Sequence, residues 1–294
     1  IKLPKISSNI KNVINTAKKA KFNILCESME QLKACFNFAK KRNFTFDEIS
    51  VESELLDNKE ISGLIEDLKK YSGCINLYMP HIFRDHAKRF FDVKSELIKS
   101  LNFDNFIIRS LEEIFYIRDN ICNNADIILD YNIYAYNKNT IDFYKEKFDV
   151  KRLTYPVELN IQEISRIKNE GNEMIVYGKL PMMVSAQCLK KTIVGCDHKK
   201  GIMELKDRKN NAMEVKTHCD FCYNTILNSK PLSVIGMEKD IEKIDPQILR
   251  IWFTTEGVDK VYEILDSYIK AFLKKEKTEN IRDFTRGHLK RGIE

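Results

Sequence analysis

Eight short apolar runs of strand character recur along the chain at nearly even intervals, and this recurrence restricts the fold more than any other feature. The runs are FNILCE from Phe22, EISVE from Glu48, CINLYM from Cys74, NFIIR from Asn105, DIILD from Asp126, KRLTY from Lys151, EMIVY from Glu173 and ILRIWF from Ile248. Their starts lie 26, 26, 31, 21, 25, 22 and 75 residues apart. Helical patterns such as SMEQLKACFNFAKKR, NKEISGLIEDLKKY and LEEIFYIRDNI fill most of the gaps. Strand and helix alternating eight times is the pattern of an α/β protein with a (β/α)8 TIM-like barrel. The runs are continuously apolar, as parallel strands covered on both faces should be. An open doubly wound sheet is the competing arrangement, but no GxGxxG opens a helix after any run. VDKVYEILDSYIKAFLKKE follows the eighth run and supplies the helix that closes the ring. Residues 1–294 are therefore expected to form one barrel, with a basic tail over 278–294.

The interval of 75 residues is too long for one strand-helix step, so an insertion is expected after the seventh strand, over 181–231. It carries Cys188, Cys196, Cys219 and Cys222 in the spacing C-x7-C-x22-C-x2-C. Between the two pairs, GIMELKDRKNNAMEVKT has two alternating segments around Arg208 to Asn211, which predicts a β-hairpin that returns Cys196 towards Cys219. No run of the chain approaches the roughly 18 apolar residues needed to span a bilayer, and no secretory signal pattern opens it. A cytoplasmic location without a membrane partner is the expectation. In such a reducing compartment a tight cysteine cluster reads first as a metal site rather than as disulfides. Two knuckles of C-x2-4-C would favour zinc; the wider first gap favours a 4Fe-4S cluster, with zinc as the alternative. Cys26, Cys35, Cys74 and Cys122 are expected to sit singly as small buried hydrophobes.

Polar residues at the carboxyl ends of the predicted strands are candidates for a barrel mouth: Glu52 and Glu54, His81 and Arg84, Arg109, Asp130 and Asn132, Glu158, and Tyr177 with Lys179. Among these, Arg109 and Lys179 suit an anionic ligand, and Glu52 or Asp130 suits acid-base work, so these four are the candidate catalytic residues. Arg250 is a charge inside ILRIWF; pointing inward it must be paired, with Glu52 or Asp130 as the nearest candidates.

Several stretches resemble the collagenase-like peptidase family U-32, in the form of the C-terminal half of its long members. They are MIVYGKLPMMVSAQC from Met174, LKDRK from Leu205, HCDFCYNTILNSKPL from His218 and FTRGHLKRG from Phe284, with SMEQL, VESELL, MPHIFRD and DYNIYAYN upstream. The resemblance implies a TIM-like barrel with a four-cysteine site. It also implies kinship with oxygen-independent hydroxylation proteins that carry a 4Fe-4S cluster and act in RNA pyrimidine modification or ubiquinone synthesis. By motif, Cys188, Cys196, Cys219 and Cys222 correspond to the family cysteines. The gap before Cys219 is longer than the family's usual one, and YGKLPMMVSAQC stands where an HGA-type signature is usual. These departures admit an accessory barrel whose chemistry lies in an N-terminal barrel of the same longer protein, an expectation that the start at Ile1 also suggests.

Two alternatives stand beside RNA hydroxylation: a collagenase-like peptidase, as the family's name implies, and a zinc-stabilised non-catalytic module that positions RNA or a partner domain. No HExxH or GxSxG occurs, and His81, His86, His198, His218 and His288 are scattered. RNA is compatible with the formal net charge of +6, and the tail offers Arg282, Arg286, His288, Lys290 and Arg291 with Phe284 as a possible contact, against a tail that is simply solvated or packed.

Overall fold

The computed structural model describes residues 20–167, 171–208 and 210–291. All eight predicted strands form. They are β1 (Lys21–Cys26), β2 (Phe46–Glu52), β3 (Ser72–Tyr78), β4 (Asn105–Ile108), β5 (Ile127–Leu129), β6 (Arg152–Leu153), β7 (Glu173–Gly178) and, after the insertion, β13 (Ile248–Phe253). Each pairs in parallel with its neighbour, in the order β7-β13-β1-β2-β3-β4-β5-β6. The two ends meet through a parallel bridge between Thr154 and Glu173, where Tyr155 N–H donates to the Glu173 carbonyl at 2.8 Å. That contact closes the curled sheet into a barrel.

The helices between strands carry local signals that fix their ends. Helix α1 (Met29–Arg42) starts at Ser28, whose hydroxyl accepts from Gln31 N–H while the Gln31 side chain accepts from Ser28 N–H, a reciprocal capping box. It ends at Asn43 in the left-handed region, a conformation that Asn tolerates better than most residues. The apolar face of α1 buries Leu32, Cys35, Phe38 and Ala39 against the sheet. The last helix of the ring, α9 (Val258–Tyr268) in the full chain order, packs beside α1 through Tyr262 on Phe38 and Arg42 on Asp266.

The barrel interior departs from the apolar filling that continuous hydrophobic runs suggest. Asn23, Glu48, Ser50, Asn76, Asn105, Arg152, Glu173 and Arg250 are all buried. Their polar groups satisfy one another: Asn23 and Arg250 donate to Glu173 Oε1 at 2.9 and 2.6 Å, Arg152 donates to Glu173 Oε2 at 2.9 Å and to Glu48, and Asn76 donates to Glu48 at 2.8 Å. A buried charge is tolerable when paired in this way.

The chain leaves β7 at Gly178, whose φ of +148° disfavours L side chains and whose Cβ, if present, would stand 2.8 Å from the Trp252 carbonyl oxygen. It then builds a second, antiparallel sheet from β8 (Pro181–Ser185), β9 (Gly201–Lys206), β10 (Ala212–His218) and β11 (Tyr223–Leu227), in the order β8-β11-β10-β9. β9 and β10 are the predicted hairpin. β12 (Leu232–Ser233) then pairs antiparallel with β7 at Gly178 and Tyr177 and returns the chain to the barrel. Strands β8, β11 and β12 were not marked by the sequence pattern, because PMMVS and YNTIL are short and flanked by loop-forming residues. No helix among the described residues is long and apolar enough to cross a membrane.

Candidate active site

Glu52 ends β2, Arg109 follows β4 and Asp130 follows β5, so the parallel sheet delivers all three to one end of the barrel. They meet there. Arg109 Nη2 lies 3.6 Å from Glu52 Oε2 and its Nε 3.5 Å from Asp130 Oδ2, with all three side chains at most 1% exposed. Both separations exceed a hydrogen bond, and Glu52 Oε2, Arg109 Nε and Arg109 Nη2 have no partner although they are buried. The guanidinium lies 3.5 Å above the Tyr78 ring, whose hydroxyl donates to Asp130 at 2.5 Å. Arg250 pairs with Asp130 at 2.5 Å, one of the two partners expected for it.

Burial governs the electrostatics. It pushes Glu52 up to about 7, more than the nearby Arg109 lowers it, so this carboxyl holds a proton part of the time at neutral pH. Burial also drives His81 well below its usual range, with Arg109 and His218 adding, so His81 is neutral and its Nε2 is unpartnered. Glu173 goes the other way: burial opposes ionisation, but Arg250 and Arg152 together hold it at about 2. Arg109 stays charged; burial works against it, and Tyr78 and Glu52 beside it outweigh burial.

The insertion closes over this end of the barrel. From β10, Lys216 donates to Glu27 at 2.6 Å and His218 Nδ1 lies 2.9 Å from Glu54 Oε2. From the start of β11, the Tyr223 hydroxyl accepts from His81 N–H at 3.1 Å, and its ring stacks on His218 at 4.4 Å. Glu27 in turn accepts from Trp252 Nε1 at 2.7 Å. Burial raises Glu27 and Glu54, but Lys216 and His218 outweigh it and hold Glu27 low, while His218 and Lys200 do the same for Glu54. A cleft of about 820 Å³ remains between the two parts, lined by Glu27, Glu54, Lys200, Lys216, Thr217 and Glu256 among others.

Lys179 does not join the Glu52–Arg109–Asp130 group. It lies on the step from β7 into the insertion and pairs with Glu214 of β10 at 2.7 Å, donating also to Thr255. Tyr177 donates to Glu256 at 3.0 Å, Asn132 donates to the Arg109 carbonyl at 2.8 Å, and Glu158 is half-buried. Arg84 is exposed at the N-cap of α3 (Asp85–Leu101). The residues that sequence reasoning missed, Glu27, Lys216, Trp252 and Tyr223, share one property: each acquires its partner across the barrel-insertion boundary or at a strand end, and no local pattern announces it.

The four insertion cysteines stand at one end of its sheet. Cys188 follows β8, Cys196 precedes β9, and Cys219 and Cys222 occupy the turn between β10 and β11. Asn224, fully buried, holds the Cys188 segment by donating to the Gln187 carbonyl at 3.0 Å and accepting from Leu189 N–H at 3.0 Å. Burial raises the Cys219 thiol, and Glu54 and Cys188 nearby raise it further. Lys190, raised mainly by its hydrogen bond to Asp197, also feels Cys219 and Cys196. Among the described residues, no three His, Cys, Asp or Glu side chains are gathered in ligating geometry. The four thiols share one end of the sheet on adjoining turns without being drawn together into a ligand set. Of the other cysteines, Cys26 and Cys35 are buried but not single, with sulfur atoms 3.6 Å apart. Cys74 is half-buried at the start of β3, and Cys122 is exposed in the turn before β5, where neither is inside the core.

The described part of the tail, 278–291, is anchored at a few points, while Arg282, His288, Lys290 and Arg291 are exposed. Arg286 donates to the Ser233 and Ile235 carbonyls at 2.6 and 2.8 Å, Thr285 bridges to Leu232, and Leu289 is buried.

Among solved structures, the chain is similar to a candidate fructose-1,6-biphosphate aldolase from Coccidioides immitis (10% identity, TM-score 0.45, 88% of each chain covered). It is also similar to orotidine 5'-phosphate decarboxylase from Pyrococcus horikoshii OT3 (11% identity, TM-score 0.44, covering 85% of this chain and 99% of that one). A third is the spore cortex-lytic enzyme SleL of Bacillus cereus (8% identity, TM-score 0.43, covering 85% and 74%). No curated protein matches the chain. The model of peptidase family U32 matches residues 28–291, which takes in the barrel after β1, the insertion and the tail as far as Arg291, and the chain belongs to that family.

Proposed function

We propose that this U32 protein binds a 4Fe-4S cluster through Cys188, Cys196, Cys219 and Cys222 and serves oxygen-independent hydroxylation of an RNA pyrimidine at the barrel mouth. The observation that carries the reading is one of placement: the cysteine-bearing end of the insertion is tied by His218 to Glu54, two residues beyond Glu52. When bound, such a cluster supplies electrons one at a time. The chain's own residues do the rest. Arg109 keeps Nε and Nη2 without a hydrogen-bond partner between Asp130 and Glu52, and a guanidinium so placed suits an anionic or carbonyl group of the substrate. Glu52 stores or accepts a proton at Oε2 near neutral pH, and neutral His81 offers a further hydrogen-bonding nitrogen. Asp130 fixes Tyr78 and Arg250, and Lys179 holds the insertion down through Glu214.

Peptidase chemistry has little to stand on. Ser53 Oγ donates to Glu52 Oε1 at 3.1 Å, but Ser53 is fully buried and its own N–H donates to the same oxygen, which makes a local cap rather than an exposed nucleophile. Iron and acid-labile sulfide in anaerobically purified protein, with mass spectrometry of RNA from cells with and without the gene, test the reading. Zinc in place of iron, with unchanged RNA, favours the non-catalytic module.

A further inference from the structure

The loop between β5 and α5 (Lys138–Phe148) raises two tyrosines at the rim of the mouth. Tyr134 and Tyr136 are 53% and 38% exposed, yet their rings stack on each other at 5.7 Å between centroids and 15° between planes. Water does not require such an arrangement, and the backbone resists it: Tyr134 sits at φ 57°, a left-handed conformation that a bulky L residue rarely adopts. The loop is nevertheless pinned. Tyr136 N–H donates to the Tyr134 carbonyl at 2.9 Å, Tyr134 N–H to the Tyr131 carbonyl at 3.3 Å, and Asn132 to the carbonyl of Arg109. Inward from the pair, Tyr131 is buried and packs within 6.0 Å of Trp252 and 6.5 Å of His81, so one short loop runs from the exposed rings to the Arg109 centre.

We propose that Tyr134 and Tyr136 form a stacking platform for a nucleobase of single-stranded RNA beside the base at the mouth; this rests on the RNA reading above. A flat face open to solvent and already continued by a parallel ring suits one more planar ring, and every base has such a face. The Tyr136 hydroxyl is hydrogen-bonded to Glu158, which fixes the orientation of its ring. Lys138, exposed at the next helix, and the chain's net charge of +6 suit the flanking phosphates.

Tyr134→Asn, Tyr136→Leu and the Phe variants of both test the platform, with fluorescence anisotropy of a labelled oligouridylate as the readout on full-length protein. Asn relieves the left-handed strain at 134, so that variant folds at least as well as the parent. Loss of either ring should weaken binding about fivefold or more, Phe should restore it, and the slope of affinity against salt should not change because no charge is removed. Parent-like affinity in Tyr134→Asn and Tyr136→Leu overturns the platform and leaves the RNA reading standing. No binding of oligouridylate by the parent overturns both.

Discussion

Arg250 Nη1 stands 2.5 Å from Asp130 Oδ1 inside the barrel, and neither side chain has any exposure. The same guanidinium donates to Glu173 and Thr154, so one arginine compensates two carboxylates on two other strands. Arg250→Met keeps much of the volume but leaves Asp130 short of a partner and Glu173 with Arg152 as its one charged partner beside Asn23. A loss of about 3–5 kcal/mol is expected, the cost of breaking a buried pair from one side. Urea denaturation of the two proteins measures it; a difference below about 1 kcal/mol would show that the interior charges are not coupled as the distances imply.

Glu52 gives stability a particular pH dependence. Its pKa is raised from 4.5 to about 7 in the fold, so the folded chain holds the proton more tightly than the unfolded one. The contribution is therefore fully present below about pH 4.5 and is lost as pH rises through about 7, on the order of 3 kcal/mol in all. Glu52→Gln, which cannot ionise, should gain stability over the parent at pH 8 and lose that advantage at pH 5. Melting temperatures at the two pH values decide; parallel curves would mean that Glu52 is ionised in the fold at both.

The insertion is docked by polar contacts, and Lys216 is one that can be removed without emptying the core. Lys216→Met frees Glu27, which lies against the indole nitrogen of Trp252, the chain's single tryptophan. Intrinsic fluorescence should shift, and amide exchange in β9 and β10 should quicken, while the barrel strands stay protected. Unchanged exchange in β10 would show that His218 and Lys179 hold the insertion without Lys216.

Asn224→Ala should disturb the cysteine end selectively. It removes the side chain that accepts from Leu189 N–H and donates to the Gln187 and Ser185 carbonyls, at about 1–3 kcal/mol. Metal retained per chain should fall more steeply than global stability, since Cys188 lies between the two segments that Asn224 ties. Equal metal content in variant and parent would detach Asn224 from the site.

How much of this was readable beforehand divides by range. The strands were legible because FNILCE, ILRIWF and the others are apolar throughout, and a buried parallel strand leaves no other pattern. The hairpin was legible because GIMELK and AMEVKT alternate around a polar turn. The convergence of Glu52, Arg109 and Asp130 followed from strand ends in a parallel sheet, and the pairing of Arg250 from the cost of an unpaired buried charge. Lys179 read as part of that ring because it follows β7, but its partner Glu214 is 35 residues on, across the insertion. The contacts of Glu27 with Lys216 and of Glu54 with His218 span 189 and 164 residues, distances over which periodicity carries no information. The polar interior was hidden for a related reason: single polar residues such as Asn23 and Asn76 look like defects in apolar runs until their partners on other strands are seen.

The central claim is that the four cysteines beside the barrel mouth hold an iron-sulfur cluster. Protein purified without oxygen should carry about four iron and four sulfide per chain and a visible absorption band that fades on reduction, and Cys219→Ser should lose both. Colourless protein with four titratable thiols in the insertion, or with one zinc and no iron, would contradict it.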